Sequence, residues 1–118
     1  MKLFTLAAIL VLAGCASAGG VPAVGDADEE LRTAQRMIES AQEAGADSLA
    51  ILSMSEARAA LAEANDKRGT DKNWAALKAK EAAASAAYAR AVAGRLKAER
   101  SRGDAKAALD ALPPGGAR

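Results

Sequence analysis

Hydrophobic positions in this chain fall into two regimes. From Leu3 to Leu12 they form one short, nearly unbroken run behind Met1 and Lys2. From Asp28 onward they recur at alternating spacings of three and four residues, the repeat of one helix face. Leu31, Ala34, Ile38, Ala41 and Gly45 carry the first such stripe and predict a helix over 28–44. Asp26 or Asp28 caps its start, where Glu29 and Glu30 complement the helix dipole. Gly45 suits the left-handed residue that closes a helix.

Met54, Ala57, Leu61 and Ala64 repeat the stripe and predict a second helix over 53–68, with an earlier start at Asp47 as the alternative. Ser53 and Glu56 have capping-box spacing, Lys67 and Arg68 fall in the last turn, and Gly69 ends it. A third helix begins after the Gly69-Thr70-Asp71 turn and runs to Arg102, with Gly103 as its stop. About 32 residues at about 1.5 Å each make it about 48 Å long. Trp74, Leu77, Ala84, Tyr88, Val92 and Leu96 supply its larger apolar contacts, Trp74 and Tyr88 sharing a face two heptads apart. Gly94 interrupts this helix at a cost of about 1 kcal/mol against alanine. Either a neighbouring backbone comes close there, or the helix bends or frays. Residues 104–112 extend the helix weakly, and Pro113 to Gly116 favour a disordered tail. Alternating β-branched runs are absent.

Composition sharpens this picture. Most of the apolar content is alanine, the best helix former and a poor core filler. The expected fold is all-α: an antiparallel three-helix bundle or helical hairpin with a long third helix, packed closely in alanine-rich, coiled-coil-like fashion. The charge is uneven. Residues 15–69 carry five basic and ten acidic side chains, and residues 70–118 carry ten and five. The third helix therefore attracts the first two when they pack antiparallel.

Little chemistry is on offer. Histidine is absent, which removes the commonest general base and metal ligand. Ser40, Ser48, Ser53, Ser55, Ser85 and Ser101 lack a histidine partner, and pairs such as Glu39 and Glu43 sit on a polar helix face. No metal cluster has cysteine support, and no glycine-rich phosphate loop joins a strand to a helix. Trp74 reads as a core anchor rather than a ligand platform. No catalytic residue, metal or small-molecule substrate is expected. Arg95, Lys97, Arg100 and Arg102 are a candidate anion-binding patch, to be weighed against a solvated, cationic helix end. No aromatic residue interleaves these cations, so nucleic acid is not an expected partner.

The apolar run now acquires a meaning. It is too short to span a bilayer, and its order of basic residue, apolar stretch and small residues is that of an export signal. It ends in Leu12-Ala13-Gly14-Cys15, which resembles the lipobox of bacterial lipoproteins. The resemblance implies a signal peptide over 1–14, cleavage before Cys15, and covalent diacylglycerol and N-acyl lipid on that residue as the only modifying group. Cys15 is the sole cysteine, so no intramolecular disulfide forms. Two or three acyl chains, at about 0.8 kcal/mol per CH₂, anchor stably. Residues 15–26 then form the lipidated terminus and a flexible glycine-rich tether. Ala16 after the cysteine implies, by the same resemblance, the periplasmic face of the outer membrane.

The segment from Glu30-Leu31 to Ala41-Gln42-Glu43-Ala44-Gly45-Ala46, then Ser55-Glu56-Ala57-Arg58-Ala59-Ala60-Leu61-Ala62-Glu63-Ala64, then an alanine-rich third helix, resembles lipoproteins carrying domain of unknown function 4398. The resemblance covers about 28–102, with a domain over 27–102 and a tail over 103–118. Gly69 to Trp74 departs from the family's tight turn, with Trp74 in its aromatic position. The family implies an envelope location and a helical fold, and no established reaction. Two functions follow as expectations. One is a non-catalytic envelope module, anchored to the membrane by lipid, that docks on an envelope protein or self-associates. The other is a binder of peptidoglycan or lipopolysaccharide through the basic end of the third helix.

Overall fold

The computed structural model describes residues 25–115. Four helices follow one another: α1 (Ala27–Glu43), α2 (Ala46–Leu49), α3 (Ile51–Lys67) and α4 (Lys72–Asp110). No strand occurs among the described residues, so the all-α expectation holds.

Each end has a local cause. The Asp26 side chain accepts a hydrogen bond from the Asp28 backbone N–H at 3.0 Å, capping α1. Gly45 adopts φ 84°, and its N–H donates to the Gln42 carbonyl at 2.8 Å, so the chain leaves α1 through a left-handed residue as predicted. Asp71 caps α4 by accepting from the Trp74 N–H at 3.0 Å. Between α3 and α4, the N–H groups of Thr70 and Asp71 both donate to the Lys67 carbonyl, at 3.0 and 2.8 Å.

Two boundaries depart from the sequence reading. Ser53 does not cap the second long helix. α3 starts at Ile51, behind Ala50, which offers no side-chain cap. Ala46, Ala50 and Met54 are all buried in one cluster, and that burial sets the helix start in place of the capping-box residues. Nor does Gly103 stop the last helix: α4 runs through Gly94 and Gly103 to Asp110, 39 residues in all. Two glycines at about 1 kcal/mol each do not break a helix whose other residues are mostly alanine, lysine, arginine and leucine.

Buried clusters define the topology. Ala27 meets Ala75 and Ala76. Leu31 and Ala34 share a cluster with Ala60, Ala64, Ala79 and Ala82. Ile38 and Ala41 lie with Met54, Ala57, Ala86, Ala89 and Ala93. Thus α1 and α4 run parallel, and α3 runs antiparallel to both. Most interhelical packing involves α4, which lies along both α1 and α3. Among the described residues, Leu31, Ile38 and Met54 are the only buried hydrophobics that are not alanine, and Met54 is the one large side chain fully enclosed.

The inner face of α4 differs from the expected one. Leu77 and Tyr88 are 56% and 64% exposed, and Ala84 is exposed as well. Trp74, Val92 and Leu96 are half-buried. The buried stripe is Ala79, Ala82, Ala86, Ala89 and Ala93, at spacings of three and four. A helix wedged against two alanine-faced neighbours must approach them closely, and only methyl side chains leave room.

Candidate functional site

Leu12, Ala13, Gly14 and Cys15, the residues of the expected cleavage and lipidation motif, lie outside the described residues. So do most of the expected tether and the last three residues of the tail. The remaining candidates lie on α4.

Arg95, Lys97, Arg100 and Arg102 do not form one patch. At 3.6 residues per turn, Arg95 and Arg102 share the outer face of α4, and Lys97 and Arg100 lie on the side that continues the inner stripe. Arg95 pairs with Glu99 at 3.6 Å. The Cε and Nζ atoms of Lys97 lie 3.2 Å from where a Cβ on Gly45 would stand. Its ammonium thus reaches the carboxyl end of α1, where a cation is favoured. Beyond Lys97 every described residue is exposed. The last 13 residues of α4 therefore project past the bundle by about 20 Å.

Ion pairs tie α4 to its neighbours. Lys78 reaches Glu63 of α3 at 3.5 Å and Glu81 at 2.8 Å, and Lys80 reaches Glu30 of α1 at 3.7 Å. Those links follow the charge asymmetry of the two halves. Hydrogen bonding to Glu81, aided by the charge of Glu63, raises the Lys78 pKa above the ordinary lysine value, against a smaller opposing effect of burial. The same ammonium lies 5.5 Å from the centre of the Trp74 ring, a cation–π distance. Trp74 is accordingly covered on one face by Lys78 and half-buried at the start of α4. Elsewhere, Arg58 pairs with Asp47 to hold α2 against α3, and Arg68 with Asp28 at 2.8 Å.

No family model, curated protein or solved structure matches this chain. Its surface must therefore be read by its own chemistry.

Concavities are open and polar-rimmed. One of about 390 Å³ lies where α1 and α4 begin and α3 ends, walled by Asp26, Asp28, Asn65, Arg68 and Lys72. A second, of about 370 Å³, is the groove between α1 and α3, floored by Ile38 and Leu61. Among the described residues no polar or charged side chain is buried, and no group of three acidic, cysteine or histidine side chains converges. No helix among them is long and apolar enough to cross a membrane. What sequence reading missed is the outer face of α4. Leu77 and Tyr88, expected in the core, lie exposed on it.

Proposed function

We propose that this chain is a lipid-anchored, non-catalytic protein-interaction module of the bacterial cell envelope. The observation that carries this reading is Leu12-Ala13-Gly14-Cys15 at the end of a short apolar run. Acylation of Cys15 places a helical bundle on a membrane surface through the tether of residues 16–26. The resemblance to lipoproteins of domain of unknown function 4398 leads to the same place, and Ala16 to the outer membrane. The bundle itself supports an adaptor role. Among the described residues its polar side chains are all at or near the surface, and its longest helix extends beyond its own core.

Expression in a bacterial host with an alkyne fatty acid tests the anchor. The chain takes up label and sediments with membranes, and Cys15→Ser loses both. A labelled Cys15→Ser chain, or an unlabelled native one, refutes the reading.

A second reading has one observation in its favour, the exposure of Arg100 and Arg102 beyond the bundle. Here the projecting end binds an anionic envelope polymer such as peptidoglycan or lipopolysaccharide. Replacing Arg95, Lys97, Arg100 and Arg102 by Gln abolishes pelleting with either polymer if this reading is right, and unchanged pelleting sinks it.

A further inference from the structure

α4 carries a second heptad stripe, on the face turned away from α1 and α3. Every seventh residue from Leu77 is apolar: Leu77, Ala84, Ala91, Ala98 and Ala105. Three residues beyond each stand Lys80, Ala87, Gly94, Ser101 and Ala108. All ten are exposed. Leu77 to Ala108 spans about 47 Å of helix. The stripe is flanked by Tyr88 and Leu109, 64% and 67% exposed. An alternation of three and four kept up for so long is the seam of a two-helix contact. The molecule already forms such a contact on the opposite face of the same helix.

We infer that a second copy of this chain packs antiparallel along the outer face of α4, with the dyad between Ala91 and Gly94. This deepens the interaction-module reading and rests on it for its biological setting.

Charge decides between the two orientations. A parallel pair would set Arg90 against the partner's Arg95, and Lys97 against the partner's Arg102, twice each by symmetry. Like charges at these flanking positions oppose association. The antiparallel pair sets Glu81 against the partner's Arg102 and Tyr88 against the partner's Arg95, again twice each. The first is an ion pair, and the second places a guanidinium over an aromatic ring. Arg102 has no ion pair among the described residues, and Glu81, which holds Lys78 through Oε2 at 2.8 Å, has Oε1 left for it. Trp74, half-buried within its own bundle, meets the partner's Leu109. One like-charged contact remains, Arg90 with the partner's Lys97, and Lys97 is already turned toward Gly45.

Gly94, in the middle of this seam, is a further observation. It sits in the middle of a long helix, at a cost against alanine, and a Cβ there would meet nothing within 4 Å. No contact inside the molecule accounts for it. In the antiparallel register Gly94 faces the partner's Ala91 beside the dyad, flanked by Ala87 against the partner's Ala98. That is where two backbones approach most closely, and where a missing side chain is useful. The projecting end of α4 finds cover in the same arrangement: Ser101 lies on the partner's Ala84, and Ala105 beside the partner's Lys80.

Sedimentation equilibrium of the full chain in density-matched detergent tests the pairing, and it requires neither a membrane nor lipidation. The native chain is expected to show a concentration-dependent dimer. Gly94→Leu should abolish the dimer while circular dichroism shows equal or greater helix content. Glu81→Arg and Arg102→Glu should each weaken association by about tenfold, and the double exchange should restore it. Restoration is specific to the antiparallel register, because positions 81 and 102 are far apart in a parallel pair. A monomer at all concentrations, a Gly94→Leu chain that still dimerises, or a double exchange that fails to restore association each overturns the inference. Failure of fatty-acid labelling would leave it standing, so the two readings fail separately.

Discussion

Gly45 holds φ at 84°, a conformation that costs an L-residue roughly 1–2 kcal/mol. A methyl group there would also press on the Lys97 side chain at 3.2 Å. Gly45→Ala is therefore expected to destabilise the bundle by about 1–2 kcal/mol in urea unfolding. An unchanged midpoint would mean that the α1 exit is not under this constraint. Lys78 makes a different prediction. Its pKa is raised in the folded chain, chiefly by the hydrogen bond to Glu81. A raised lysine pKa adds stability below the unfolded value, and that stability fades as pH climbs through the folded one. The stability difference between the native chain and Lys78→Gln is thus expected to be constant through neutral pH. It should shrink as pH rises above the ordinary lysine value of 10.5. A difference that grew with pH would contradict the assignment. Of the two residues, only Gly45 announced itself in the sequence. Nothing in the residues around Lys78 says that Glu63, on another helix, lies 3.5 Å away.

α4 carries alanine on two opposite faces, which gives it two usable seams. Size points Leu77 and Tyr88 to the core, and both are exposed. α1 and α3 gave less choice: Leu31, Ala34, Ile38 and Ala41, and then Met54, Ala57 and Ala64, are buried as their spacing predicted, while Leu61 of the expected stripe is half-buried and its neighbour Ala60 is buried. The two faces of α4 should respond differently to one substitution. Ala86→Leu adds three carbons between closely packed helices and should cost about 1–3 kcal/mol or more. Ala91→Leu, on the outer face, should change monomer stability by about 0.5 kcal/mol or less. Equal effects in chemical unfolding at low concentration would show that the faces are misassigned. Gly103→Ala lies on the projecting end, in open space. It should raise helix content locally without moving the melting temperature of the bundle, as read by circular dichroism and hydrogen exchange of residues 98–110.

Apart from Leu31, Ile38 and Met54, the described residues bury only alanine methyl groups in the core. Each adds about 0.8 kcal/mol, so the core is thin, and Met54 carries a disproportionate share. Met54→Ala should cost about 2–5 kcal/mol, enough to unfold much of a marginal bundle, visible as loss of cooperative melting. Ending the chain after Gly103 should leave the melting temperature of the dilute monomer unchanged, because residues 104–115 are all exposed in it. The same truncation should weaken self-association in sedimentation, since the pairing places Ala105 and Leu109 on the partner.

The sequence alone determines the all-α class, the acidic start of α1, its left-handed exit, and that acids crowd one half and bases the other. These are properties of neighbours along the chain, set by spacing and by the backbone chemistry of Asp26 and Gly45. Only the tertiary structure decided which alanine face of α4 turns inward and that α3 begins at Ile51. An alanine is equally acceptable to core and solvent, because its methyl group contributes little wherever it lies. Only the close approach of α1 and α3 distinguishes one stripe of them from the other.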